Sequence, residues 1–332
     1  MHVALRAGLA AFLLSGMIEA GETMGTVDRA DPRFDALVPK GAEIEKLAEG
    51  YSWSEGPVWV KDGGFLLFSD VPNNVVHRYD PGKGVSVFAK PSGYTGEKQR
   101  GGEPGSNGLT LDANGKLVLC QHGDRRVARR EADGSFTALA DKFEGKRFNS
   151  PNDLCYHSNG DLYFTDPPYG LEGNVKDPKK ELPFQGVFLL RKSGELKLLT
   201  KELSFPNGIA LSPDEKTLYV AISDGKRPVI VSFDVKEDGT IGEEKVFFDT
   251  MPWQKKGLKG APDGMKIDVH GNLFATGPGG VFVISPKGEY LGRIDPGCAT
   301  ANCGFGDDGS TLYLTADKSL AKIKTTTKGR GF

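Results

Sequence analysis

Apolar and polar residues alternate along most of this chain in short runs divided by turn residues. Residues 149–170, NSPNDLCYHSNGDLYFTDPPYG, show the unit. One alternating run spans Asp153 to His157, a turn falls at Asn159-Gly160, and a second run spans Leu162 to Thr165. A period of two on both sides of an Asn-Gly turn predicts a β-hairpin. The unit recurs. Its six copies open on Glu55, Asn107, Asn152, Asn207, Asp263 and Asn302, and each opener carries a side-chain oxygen. An apolar residue stands ten positions later in five copies (Phe65, Leu117, Leu162, Leu273, Leu312) and eleven later in the fourth (Leu218). The openers lie 39 to 56 residues apart. A strand-rich repeat of roughly 40–50 residues predicts a β-propeller, and six copies predict six blades. Each opener then starts the innermost strand of its blade, and six oxygen-bearing side chains face one tunnel.

The rest of the pattern fills the blades. Third and fourth strands are expected near 75–79 and 85–88, 125–130 and 136–140, 186–191 and 196–200, 229–234 and 244–248, and 280–284 and 290–294. The sixth blade has strands near 302–306, 311–315 and 320–324, and then the chain ends one strand short. Ala42 to Ala48 alternates weakly and is expected to supply that strand, closing the ring and covering two sheet edges. The expected organisation is an all-β, six-bladed propeller over 43–332, a polar leader over 21–42, and a signal peptide over 1–20. The leader, without period, is expected to face solvent. Met1 to Gly8 carries Arg6, and Leu9 to Ile18 is a mostly apolar run too short to span a bilayer but suited to export. The expected location is therefore exported or periplasmic.

Composition adds limits. The 332 residues include 45 Gly and 20 Pro, as many short turns require. A net charge of −2 and a pI near 6.3 give no electrostatic case for nucleic acid or an anionic membrane. Cys120, Cys155, Cys298 and Cys303 lack metal-site spacing and read as small core residues. In an exported protein Cys298 and Cys303 could pair.

Three connections are long: 91–106, 167–184 and 249–262. Strand alternation places all three around the tunnel mouth with the openers. Long loops are commonly functional. Two of the six openers are anionic. At about 6 Å and an effective dielectric near 20, two carboxylates repel by roughly 3 kcal/mol. A divalent cation reverses that cost, and carboxylate with amide oxygen favours Ca²⁺ over Mg²⁺. Glu55 and Asp263 are the strongest ligand candidates; Asn107 and Asn302 serve equally as strand caps. The five histidines make no zinc spacing, and GxSxG, HExxH and phosphate-loop motifs are missing. His122, in QHGDRR, is placed to reach the mouth, where acid–base, substrate-binding and structural roles are all open.

The motifs SEGPVW (54–59), SNGLTLD (106–112), RFNSPNDL (147–154), YFTDPPYG (163–170), PNGIALSPDEKTLYV (206–220), PDGMKIDVHGN (262–272) and ANCGFG (301–306) together resemble the regucalcin, gluconolactonase and luciferin-regenerating-enzyme family, most closely its bacterial gluconolactonase-like branch. The resemblance spans roughly residues 43–325. It implies a calcium-dependent hydrolase of a small lactone or related ester. It places Glu55, Asn152, Asn207 and Asp263 at metal-binding positions and makes Asp263 the catalytic carboxylate. Asn152 is also expected to meet substrate, as are Asn107 and His122. Gln121 departs from the Glu frequent in relatives, which leaves substrate preference open. Phosphotriester cleavage at the same metal, or a non-catalytic calcium-binding propeller, are the alternatives.

Overall fold

The computed structural model describes residues 21–98 and 100–332; the segment assigned to export, 1–20, lies outside the described residues. Six antiparallel sheets surround one axis. Blade one comprises Ser54–Val60, Phe65–Asp70, Val75–Asp80 and Gly84–Ala89. Blade two runs Ser106–Leu111, Leu117–Gln121, Arg126–Arg130 and Phe136–Ala140. Blade three is Leu154–Tyr156, Leu162–Asp166, Gly186–Leu190 and Leu196–Thr200. Blade four is Pro206–Leu211, Thr217–Ile222, Val229–Asp234 and Lys245–Asp249. Met265–Ile267, Leu273–Gly277, Gly280–Ile284 and Tyr290–Asp295 build blade five. Asn302–Gly306, Thr311–Ala316 and Ser319–Lys324 begin blade six. The second strands are buried along almost their whole length.

Ile44–Glu49 supplies the missing strand. It pairs antiparallel with Ser319–Lys324, Leu320 opposite Ala48 and Lys322 opposite Glu45. Closure between the first and last blades is also packed: Trp59 stacks on Tyr313 at 5.7 Å between ring centroids.

Residues 21–42 are not a solvent-facing leader. Thr26–Arg29 pairs with Tyr290–Asp295 as a fifth strand of blade five, and Thr23–Met24 pairs with Ile44 and Glu45 on blade six. Asp31 caps a short 3-10 helix, Pro32–Ala36. Phe34, Leu37 and Val38 are buried in the core shared by blades five and six, against Phe274, Leu291, Phe305 and Leu314. Three apolar residues in and just after one short helix are too few to stand out in a polar stretch, yet they cover the seam of two sheets.

The four cysteines are free. Cys303 is buried on the inner strand of blade six, its Sγ 3.4 Å from the Phe274 carbonyl, and does not bridge to Cys298. Among the described residues no helix is long and apolar enough to cross a membrane.

Phe34→Ala removes a fully buried ring from this seam and is expected to cost about 3–5 kcal/mol. Removal of residues 21–40 should destabilise at least as much. Denaturant unfolding checks both, and an unfolding midpoint unchanged by either would mean that the N-terminal segment is decoration.

Candidate active site at the tunnel mouth

Each inner strand reaches the axis beside the next, so backbone meets backbone there. A Cβ on Gly56 would lie 2.2 Å from the Asn107 carbonyl oxygen, and one on Gly208 would lie 2.1 Å from that of Asp263. Glycine after the opener lets adjacent inner strands close up, and the opener itself is left facing the axis. Cross-blade hydrogen bonds fix the approach: Gly108 N–H to Asn152 O at 2.8 Å, Thr165 Oγ1 to Asn207 O at 2.7 Å, and Ser69 Oγ to Asn107 O at 2.9 Å.

All six openers converge at the mouth. Glu55, Asn107, Asn152, Asn207 and Asn302 are buried, and Asp263 keeps a partly exposed edge. Asn207 Nδ2 donates to Ser223 Oγ at 2.9 Å, which turns its Oδ1 away from that partner. Asn152 Oδ1, Asn207 Oδ1 and Asp153 Oδ2 are buried without any hydrogen-bond partner. Buried acceptors left unpaired cost about 1–3 kcal/mol each, more when charged, so these oxygens mark a place built for something else. Glu55 Oε2 accepts only the N–H of Gly56 at 3.0 Å and Asn302 Nδ2 at 3.3 Å.

The electrostatics agree. Burial pushes the Glu55 carboxyl up to about 8, with Asp153 adding repulsion. Asp263 is raised well above the ordinary carboxylate range by withdrawal from water, then by Glu55, Asp153 and Glu103. Asp153 is raised by burial, which Lys266 partly offsets. Three crowded carboxylates and free amide oxygens form a hard, anionic, oxygen-only donor set. Those residues fit a divalent cation such as Ca²⁺. Among the described residues no group of three or more His, Cys, Asp and Glu is set to hold a metal, so any ligand set at the mouth must draw on amide oxygens.

His122 is fully buried. Its Nδ1 lies 3.1 Å from Glu103 Oε2, without the alignment of a full hydrogen bond, and its Nε2 has no partner. Gly170 packs on it, where a Cβ would fall 2.5 Å from His122 Cβ. The loops at 91–106 and 167–184 lock together above: Arg100 donates to the carbonyls of Gly123, at 2.8 Å, and Gly170. The loop at 249–262 is partly structural, since Trp253 packs on Phe248, Phe282 and Tyr290.

Several residues here were not singled out by sequence, or only in passing. Asp153 stands where four of the other five copies have glycine, and that substitution was its available signal. Glu103 and Tyr169 come from loops whose course has no periodicity. Tyr169 stacks on Phe205 at 5.6 Å, and burial raises its hydroxyl, helped by Asp263 and Glu103. Asp166, raised to about 7 by burial, accepts the N–H groups of Asn149 and Ser150 at 2.8 Å each and braces the loop before Asn152.

Residues 53–318 match the model of the SMP-30/gluconolactonase/LRE-like region. The chain belongs to that family. It is 42% identical over 321 residues to the gluconolactonase of Zymomonas mobilis, covering 93% of this chain and 88% of that one. It is 26% identical over 297 residues to the diisopropyl-fluorophosphatase of Loligo vulgaris, covering 84% and 90%. Among solved structures, a Xanthomonas campestris gluconolactonase superposes with a TM-score of 0.79 at 29% identity, covering 92% of this chain and 98% of that one. The Agrobacterium tumefaciens regucalcin superposes with a TM-score of 0.67 at 20% identity, covering 86% and 94%, a likeness of fold.

The raised carboxyls make a sign-specific prediction for metal-free protein. A carboxyl whose folded value lies above its unfolded one adds stability below about pH 4.5 and loses it as pH rises through the folded value. For Glu55 the loss should extend to about pH 8. Asp166, at about 7, contributes in the same direction. Chelator-treated protein should therefore melt progressively lower between pH 5 and 9, and Glu55→Gln should flatten part of that slope. A melting temperature that climbs across this range, or a Glu55→Gln profile parallel to wild type, contradicts the assignment.

Proposed function

We propose that this protein is a metal-assisted hydrolase that opens a small lactone, with a sugar lactone as the preferred class. The observation that carries the reading is the convergence of Glu55, Asp263 and the unpartnered oxygens of Asn152 and Asn207 on the axis. The 42% identity to a gluconolactonase supports the substrate class.

Glu55, Asn152, Asn207 and Asp263 would hold the cation, Ca²⁺ before Mg²⁺. When bound, it supplies Lewis-acid polarisation of the lactone carbonyl, an effect worth several kcal/mol. The chain's residues do the rest. Asp263, with its raised proton affinity and partly exposed edge, takes a proton from the attacking water as the water oxygen bonds to the carbonyl carbon. The ring carbon–oxygen bond then breaks, and the ring oxygen takes up a proton, giving the hydroxy acid. Asn107, Asn152 and His122 would bind substrate oxygens. The locked loops at 91–106 and 167–184 limit bulk water. A net charge of −2 gives no electrostatic case for nucleic acid. Export remains part of this proposal and is checked by N-terminal sequencing of protein recovered outside the cytoplasm.

A second reading is favoured by the similarity to the Loligo vulgaris enzyme: phosphotriester cleavage on the same donor set. Assays of sugar lactones, aryl esters and an organophosphate, each with and without chelator, separate the readings. Lactone turnover should fall with chelator and return with Ca²⁺. Asp263→Asn should reduce kcat by about a hundredfold or more. Calcium binding with no turnover on any substrate would leave a binding propeller, and chelator-insensitive turnover would remove the metal from the reaction.

A further inference from the structure

The inner strand of blade five carries an unexpected cation. Lys266 lies three residues beyond Asp263. It lines a cavity of about 850 Å³ on the face of the ring opposite the mouth, among Leu109, Leu154, Ile209 and Phe305. Its ammonium turns back toward the axis. Lys266 Nζ donates to the Met265 carbonyl at 3.0 Å and to Asn302 Oδ1 at 3.4 Å. Asn302 Oδ1 also accepts the N–H of Cys303 at 2.9 Å, while its Nδ2 donates to Glu55 Oε2 at 3.3 Å. The amide has one sensible orientation: reversed, it would set NH₂ against an ammonium and oxygen against a carboxylate. Its place is tight, because a Cβ on Gly264 would lie 1.9 Å from Asn302 Cγ.

We propose that Lys266 and Asn302 form a polar relay from the tunnel neck to Glu55, and that the Lys266 ammonium is the fixed counter-charge matching the site to a divalent cation. The proposal rests on the metal reading above and extends it to the charge the site selects. Glu55, Asp153 and Asp263 carry a formal −3 when ionised. Lys266 reduces this to −2, which one divalent ion neutralises. Glu103 stands outside the count because its side chain is one-third exposed, where solvent screens its charge. Buried charge is tolerated when it is balanced and hydrogen-bonded, and otherwise costs several kcal/mol. Lys266 is thus a positioning residue: it touches Asn302, and Asn302 touches Glu55. Its influence on Asp153 is in keeping with this place.

The test is calorimetric titration of chelator-treated full-length protein with Ca²⁺ and, separately, Tb³⁺. Removing the ammonium leaves −3, which favours the trivalent ion. Lys266→Met and Lys266→Gln should each raise the ratio of Tb³⁺ to Ca²⁺ affinity by about tenfold or more, while Lys266→Arg keeps the wild-type ratio. Asn302→Leu should weaken Ca²⁺ by about tenfold through loss of a hydrogen bond to a charged group, with little change in the ratio. A ratio within twofold of wild type in the neutral variants, or an equal shift in Lys266→Arg, overturns the counter-charge. Unchanged Ca²⁺ affinity in Asn302→Leu overturns the relay. Wild-type protein that binds neither ion sinks the metal reading itself, a result distinct from the others. If Lys266→Met does not fold, Lys266→Gln and Lys266→Arg decide the matter.

Discussion

Everything at the mouth depends on how closely adjacent inner strands approach at the axis. Four openers are followed by glycine, at positions 56, 108, 208 and 264, and a side-chain carbon at any of them would fall within 3 Å of the neighbouring blade. Omitting that carbon lets the blades close up and sends the opener's side chain into the tunnel. Hydrogen bonds from Ser69, Thr165 and Thr315 to the carbonyls of Asn107, Asn207 and Asn302 then hold three of the openers from the second strand of a blade. The site is therefore a by-product of ring closure, and its rigidity is that of the ring.

Closing the ring concentrates charge. Glu55, Asp153 and Asp263 are brought together out of water, and each resists ionisation for that reason. A fold left in this state would be more stable with neutral residues, since unbalanced buried charge is expensive. The cost is intelligible if a cation is part of the working molecule. Lys266 supplies part of the balance from within the chain. The raised carboxyls and the unpartnered amide oxygens are thus two views of one arrangement, a crowded set of oxygens withdrawn from water.

Closure at the rim follows a different rule. A propeller must join its two ends, and here the N-terminal segment does so twice. Ile44–Glu49 completes blade six, and Thr26–Arg29 adds an outer strand to blade five. Phe34 and Val38 cover the seam between those blades. Strand addition satisfies edge hydrogen bonds, and the buried rings bind the two sheets to one another.

The six-bladed ring, its strands and the identity of its six openers were determined by the sequence alone. They rest on local periodicity: alternation at two, turn residues, and one repeat length. The pairing of Ala42 to Ala48 with the last blade was also legible, because a missing strand and a spare strand were both visible. The role of residues 21–42 was not, because Phe34, Leu37 and Val38 become a pattern only against two sheets brought together from elsewhere. The same holds for Glu103 beside His122, for Lys266 beside Asn302, and for the free cysteines at 298 and 303. Lys266 occupies an alternating polar position that reads as solvent-facing, and only the tunnel makes it internal. Local order is written in neighbours along the chain. The charge balance of the site depends on distances between residues far apart in sequence, from Glu55 to Asn302, and those distances exist only once the ring has closed.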